Sequence, residues 1–437
     1  MKTSKKIKIK NVNCNFERER FIRPFGFKGG YLTESWQTVS SLESPSANTG
    51  IGLSTQSVLW SDAGVFASHS ESGGNALMFA LQEHALQLLK NTTFTNPINM
   101  LDSILNDVHE YGKRITSRTD LRLTFALNSL VGVDNAAWML YAKENGLASF
   151  DEMIPEEYHP ALSYRHELLA SIPLMAYGIP LNEIVSAVQD GYFFLKIKIG
   201  ADPDKDGDFN KMLEWDKKRV EEIHKAIGNV NIKYTQNGKI PYYFDANGRY
   251  DSKERLGKFL DHTKKIGAFE QIMIVEEPFP EDYEEDVSDI GVRIAADESA
   301  HSDKDAIKRI QMGYGAIALK PIAKTLSMSL KVAKVAYEAN IPCFCADLTV
   351  NPILVDWNKN VAARLAPLPG MNIGVLETNG HQNYKRWEEM SIFHPCAGAE
   401  WTKTIKGLFH LTNDFYARSG GILEVSEHYK NLLASSV

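Results

Sequence analysis

The stretch GYFFLKIKIG, residues 191–200, decides how this chain is read. Its core, Phe194-Leu195-Lys196-Ile197-Lys198-Ile199, is a β-branched and aromatic run closed by Gly200, and reads as a strand. Alternate side chains of a strand share a face, so Lys196 and Lys198 project to the same side. Two adjacent ammonium groups are unfavourable without an anion opposite them. Each is expected to lower the other's pKa, one route to a lysine that acts as a base near neutral pH. The same alternation in Lys6-Ile7-Lys8-Ile9-Lys10 reads as a half-exposed edge strand, so the pair takes its meaning from the residues at the ends of the later strands.

Outward from this strand, strand and helix patterns alternate. Strands are expected at 171–177, 193–199, 242–246, 272–275, 293–296, 316–319, 341–346 and 372–376, with amphipathic helices after most of them and an acidic connection at 281–289. Eight such strands imply a parallel α/β barrel, whose chemistry sits at the C-terminal ends of its strands. Before the barrel, strand patterns at 7–15, 33–41 and 50–59 are separated by loops such as 25–30. Helical spacing is present at 76–90, 99–111 and 121–146. The expected organisation is an α+β capping domain (1–160), a barrel of modified TIM type, (β/α)7β (161–385), and an irregular segment (386–437) that returns to the cap.

Composition bounds the function. The chain has 437 residues, 43% hydrophobic and 24% charged, with a net charge of −7 and no dense basic block, which argues against nucleic acid as a partner. Its four cysteines are too scattered for a disulfide framework or a zinc site, and Cys343 and Cys345 would share one face of a strand. The basic start lacks the apolar run of a signal peptide, and no segment approaches a membrane span, so a soluble, cytoplasmic protein without membrane contact is expected.

At the expected strand ends stand Lys196 and Lys198, then Asp245-Ala246-Asn247, Glu276-Glu277-Pro278, Asp297-Glu298-Ser299 and Lys320. Individually each has a plainer reading: Asp297 as a helix cap, Glu276 and Glu277 as a solvated loop, Lys320 as a surface lysine. Together they place three carboxylates on three successive strands, converging on one point. Close carboxylates repel unless a cation lies between them, and an all-oxygen set suits Mg²⁺, with Mn²⁺ as the alternative. Lys198 and Lys320 would flank that point.

At these residues the chain resembles the enolase superfamily, in its mandelate racemase/muconate lactonizing enzyme group. Val133-Asp134-Asn135-Ala136-Ala137-Trp138 is similar to the last long helix of that group's capping domain, and the stretch 413–425 to its closing segment. The resemblance implies that Asp245, Glu276 and Asp297 bind Mg²⁺ and that Lys198 and Lys320 are bases on opposite faces of a small-molecule carboxylate. Lys196 would help hold that carboxylate, with Asn247 in support. It implies abstraction of the proton α to the carboxylate through a metal-stabilised ene-diolate, with racemisation or epimerisation as the outcome. Dehydration or cycloisomerisation of an acid sugar or related carboxylate is the alternative from the same half-reaction. Self-association is implied too.

The strand-seven end, Cys343-Phe344-Cys345-Ala346-Asp347, lacks the histidine of the mandelate racemase branch, so the lysine-based, muconate cycloisomerase-like branch fits better. Strand eight ends in Glu377-Thr378-Asn379 rather than the Asp-x-Asp of dipeptide epimerases. Glu377 reads either as an acid that contacts substrate or as a loop carboxylate, and His381 has no assigned role. Residues 25–30 and part of 50–61 are expected to form a lid. Two other readings compete: a glycoside hydrolase using two of Asp245, Glu276 and Glu277, and a non-catalytic barrel. Neither accounts for the ordered lysines.

Overall fold

A computed structural model describes residues 5–27 and 30–435. After the short strand β1 (Ile7–Lys8), the strands β2 (Asn11–Phe27), β3 (Gly30–Glu43) and β4 (Thr49–Gln56) form an antiparallel sheet in the order β2-β3-β4. β1 pairs with β5 (Thr93–Phe94), burying Ile7 and exposing Lys8. The loop expected at 25–30 is instead the end of the β2–β3 hairpin, where Phe25 pairs with Leu32 and Gly26 with Tyr31. Glycine suits this place because a Cβ on Gly26 would lie 2.6 Å from the Tyr31 ring. Lys28 and Gly29 of the expected lid lie outside the described residues.

Four helices complete the cap: α1 (Val58–Ser61), α2 (Ala63–Leu89), α3 (Pro97–Thr116) and α4 (Leu123–Asn145). The stretch 61–74, ahead of the helical spacing expected from residue 76, is largely helical itself and kinks at Ser70 (φ 65°). Two features explain this. Asp62 caps the helix by accepting from Val65 N at 3.0 Å, and Gly74 lets Val58 approach to where a Cβ would be 2.3 Å from Val58 Cγ2. β4 lies on α4 just as closely: a Cβ on Gly52 would fall 2.1 Å from Gly132 O.

A short helix, α5 (Phe150–Met153), precedes the barrel. Its first strand is split at Pro173 into β6 (Leu168–Ile172) and β7 (Leu174–Met175). β7 pairs with β8 (Leu195–Lys198), followed in parallel by β9 (Tyr242–Asp245), β10 (Ile272–Glu276), β11 (Ile294–Ala296), β12 (Ala316–Leu319), β13 (Cys343–Cys345) and β14 (Gly374–Glu377). β14 pairs with β6, which closes the ring. Helices α6 (Leu181–Gln189), α7 (Phe209–Ile227), α8 (Lys253–Lys265), α9 (Asp303–Gln311), α10 (Pro321–Lys324), α11 (Leu326–Glu338) and α12 (Pro352–Ala362) cover it, while the acidic connection after β10 is irregular. Because both faces are covered, every residue of β8, β9, β12 and β14 is buried.

The stretch after β14 is more regular than its sequence suggests. It forms α13 (Gly380–Asn383), α14 (Trp387–Ile392), the hairpin β15 (Thr404–Ile405) and β16 (Leu408–His410), then α15 (Asn413–Arg418) and α16 (Glu427–Ala434). β16 pairs antiparallel with β6, and the amides of Asn13 and Asn15 on β2 donate to Leu433 O and Leu432 O of α16 at 3.0 and 2.8 Å. Cap and barrel also meet where Asp134 of α4 accepts from Ser327 N (3.0 Å) and Oγ (2.5 Å), with Trp138 Nε1 donating to the same hydroxyl at 3.1 Å. Burial pushes the Asp134 carboxyl up to about 7. Among the described residues, no helix is long and apolar enough to cross a membrane.

Candidate active site

Strand alternation puts Lys196 and Lys198 on the inner face of β8, with Leu195 and Ile197, both fully buried, facing the helices. Five neighbouring strands in the order β8-β9-β10-β11-β12 then deliver Lys196 and Lys198, Asp245, Glu276, Asp297 and Lys320 to one mouth. All of these side chains are at least nine-tenths buried. Lys198 Nζ donates to Asp245 Oδ2 at 2.6 Å and to Asn247 Oδ1. Lys196 Nζ lies 3.0 Å from Asp245 Oδ2, 3.1 Å from Glu276 Oε1 and 3.1 Å from Glu377 Oε2. On the far side Lys320 pairs with Asp297 Oδ2.

Lys196 does not behave as the spacing of the pair suggests. Burial disfavours the Lys196 ammonium, but Asp245, Glu276 and Glu377 outweigh that cost, so its pKa lies well above the ordinary value. Lys320 is raised likewise, burial being outweighed by Asp297 and Glu298. The carboxylates divide in the same way. Burial would raise Asp245, but Lys196 and Lys198 hold it below its usual range, whereas Glu276 stays raised by burial.

Oxygen atoms of Glu276, Asp297 and Glu298 lie within 4.8 Å of one another, all buried. Asp245 and Glu276 share the Lys196 ammonium, which places Asp245 beside that group. Convergent, buried, all-carboxylate oxygen donors fit a hard divalent cation. Asn247 ties the parts together: its Oδ1 accepts from Lys198 and its Nδ2 donates to Glu298 Oε1 at 3.1 Å. Asn247, Glu277 and Thr349 all have positive φ (44°, 40° and 56°), at the ends of three different strands facing this mouth. Such conformations cost about 1–3 kcal/mol each and concentrate at functional sites.

Glu377 faces the same cavity, its Oε2 also accepting from Asp347 N at 3.1 Å. Burial, with Glu377 adding repulsion, pushes Asp347 up to about 7. His381 lies outside this cavity and stacks on Tyr192. Several residues at the mouth escape sequence reading. Tyr243, two positions before Asp245 and hence on the same face, donates to Glu276 from below. Glu277 Oε2 accepts from Asp297 N (2.7 Å) and Ser299 Oγ (3.1 Å), bracing the turn that carries Asp297. Lys324, one turn beyond Lys320, donates to Asp297 O at 2.5 Å and to Asp297 Oδ1 at 3.2 Å. Only the acids had a visible signal, as neighbours of Glu276 and Asp297; the others depend on tertiary packing.

The roof comes from the cap. Phe21, Phe25, Leu32 and Ser35 of the hairpin, with Ser57 and Trp60, close an inner cavity of about 50 Å³. Phe25 and Leu174 also border an outer cavity of about 470 Å³ that contains Arg23, Lys205 and Arg249. The Trp60 segment is no loose flap. Ser57 N and Ser61 Oγ both donate to Asn128 Oδ1 at 3.1 Å, and Val58 N donates to Asn75 Oδ1 at 3.1 Å.

The family described as Enolase C-terminal domain-like matches residues 181–381. An L-Ala-D/L-Glu epimerase of Clostridium acetobutylicum is 29% identical over 189 residues, 42% of this chain and 46% of that enzyme, so the match spans about half the enzyme's length. A mandelate racemase/muconate lactonizing protein from Herpetosiphon aurantiacus has a similar fold, with a TM-score of 0.63 at 16% identity over 93% of this chain and 96% of that one. A dipeptide epimerase from Enterococcus faecalis V583, solved with Mg and the dipeptide L-Leu-L-Tyr, gives 0.61 at 18% identity, covering 93% and 98%. The barrel that carries the lysines and carboxylates is the part matched in sequence, and the cap joins it in the structural matches. Residues 181–381 thus match the Enolase C-terminal domain-like family, and the chain as a whole shares the fold of these mandelate racemase/muconate lactonizing and dipeptide epimerase structures.

Proposed function

We propose that this protein is an enzyme that removes the proton α to a substrate carboxylate and returns one to the same carbon, racemising or epimerising it. The observation that carries this reading is the order of groups around the mouth: a lysine on β8, carboxylates on β9 to β11, and a lysine after β12. Asp245, Glu276 and Asp297, with Glu298 beside them, would hold Mg²⁺ or Mn²⁺, which supplies positive charge against the substrate carboxylate. The remaining work falls to the chain. Lys196, fixed among three acids, faces a second carboxylate oxygen. Lys198 Nζ takes the α-proton on one side, with Asn247 fixing its direction, and Lys320 delivers a proton from the other. The buried, roofed cavity keeps water from the developing negative charge. The epimerase relatives support inversion as the outcome.

The lysine pair and the absence of a histidine from the end of β13 favour the lysine-based branch. Elimination of a β-substituent or ring closure is the second reading, and one observation favours it. Lys320 is held as an ammonium by Asp297 and by the Trp60 ring 4.8 Å away, which suits protonation of a leaving group. The test is α-proton exchange followed by NMR in D₂O with Mg²⁺, over a panel of hydroxy acids, N-acyl amino acids, dipeptides and cyclic carboxylates. Deuterium at an α-carbon, lost by about 10²–10⁴-fold in Lys198→Ala, is expected. Inversion selects the epimerase and loss of water the lyase. No exchange anywhere, with no Mg²⁺ binding by calorimetry, would remove the proposal.

A further inference from the structure

Trp60 carries a group that proton abstraction leaves unused. It is 4% exposed, lines the inner cavity and lies over the Lys320 ammonium, yet its indole Nε1 has no hydrogen-bond partner among the described residues. A buried donor left unpaired costs about 1–3 kcal/mol and is uncommon in a native interior. The cost is not relieved by local movement, because the flanking residues are fixed. Ser57 and Ser61 are bound to Asn128, Val58 to Asn75, and Trp60 O accepts from Arg122 Nη1 at 3.3 Å. Phe21, Phe25 and Leu32 of the roof, and Leu348 from the barrel side, have side chains that cannot accept a hydrogen bond from it.

We propose that the Trp60 N–H is a specificity determinant, which donates to an acceptor oxygen on the substituent of the substrate's α-carbon, on the Lys320 side. This deepens the proposed proton abstraction and rests on it. The substrate class is thereby narrowed to carboxylates bearing a hydroxyl, ether or acyl oxygen next to the reacting carbon, with an apolar remainder against the Phe21–Leu32 wall. Acids that are purely hydrocarbon beyond the carboxylate leave the indole unpaired and are selected against. The Trp60 ring has a second role that does not depend on its N–H: it covers the Lys320 ammonium.

The two roles separate by substitution. Trp60→Phe keeps a ring over Lys320 and deletes the donor. It is expected to raise KM about tenfold more for acids that carry the oxygen than for acids that lack it. Trp60→Leu removes both and lowers kcat as well. A measurement on the intact roof accompanies these. In ¹⁵N-tryptophan-labelled Lys198→Ala protein with Mg²⁺, the indole resonance absent from the Trp60→Phe spectrum should move downfield on adding the best-exchanging acid of the panel. It should not move with the analogue lacking the oxygen. Equal KM changes for both kinds of acid, or an unmoved resonance, would overturn the role of Trp60 while leaving proton abstraction in place. Absence of α-exchange in the unsubstituted protein would overturn the reading beneath it and this one together.

Discussion

At the scale of single residues, what distinguishes this mouth is that each of its lysines is paired with a carboxylate. Asn247 bridges a lysine and an acid from different strands, so its loss should be felt at both. Asn247→Ala is expected to weaken Mg²⁺ binding or α-exchange by about 10–100-fold, measured by calorimetry and NMR. Because Asn247 sits at φ 44°, Asn247→Gly is the control: it relieves the backbone but lacks the amide, and should lose as much. The lysines and acids at the mouth were legible because alternation and strand order depend on sequence alone. The pKa of Lys196 was not legible. It depends on Glu276 and Glu377, which lie 80 and 181 residues away in the chain and meet the ammonium only in the folded barrel. Trp60, Tyr243 and Lys324 were hidden for the same reason.

Between elements, close backbone approach decides where the roof sits. β4 carries Gly50 and Gly52 against α4, and a Cβ on Gly50 would come 2.0 Å from Ala136 O. Gly52→Ala therefore pushes β4, and with it α1 and Trp60, away from α4. A loss of about 1–3 kcal/mol in denaturant unfolding is expected, together with a raised KM, since the roof moves with the strand. Gly73→Ala is the contrasting case, since the nearest atom to its Cβ would be 3.4 Å away, and it should be close to neutral. The strand–helix alternation of the barrel was readable because each parallel strand is an apolar run of its own. The cap was less readable. The sequence of its hairpin end, 25–30, contains three glycines that imitate a loop, and the polar first part of α2 is helical because of Asp62 and a contact at Gly74.

On the scale of the whole molecule, cap and barrel are joined through a carboxyl that titrates. Burial raises Asp134 to about 7 in the folded protein, against about 3.9 when unfolded. Between these values the unfolded chain has already released its proton while the folded one retains it, so stability falls as pH rises from about 4 to 7 and then levels. The full effect is on the order of 4 kcal/mol from a shift of about three units. Asp134→Asn removes this titration and keeps one acceptor for Ser327. Thermal unfolding of the variant should therefore lose less stability than the parent between pH 4 and 7, the gap closing as the pH falls.

For the proposed reaction, the double compartment has a consequence for tempo. Phe25 and Leu174 border both the outer space of about 470 Å³ and the inner one of about 50 Å³, so a ligand moving from one to the other passes them. With α1 bolted to Asn75 and Asn128, passage requires the hairpin to swing or the cap to tilt as a body. Association along this route is expected to be gated by that motion, so rising viscosity should slow turnover through it as well as through encounter. Phe25→Ala, by opening the partition, should speed ligand capture in stopped-flow binding while letting water reach the carbanion and raising unproductive exchange relative to inversion.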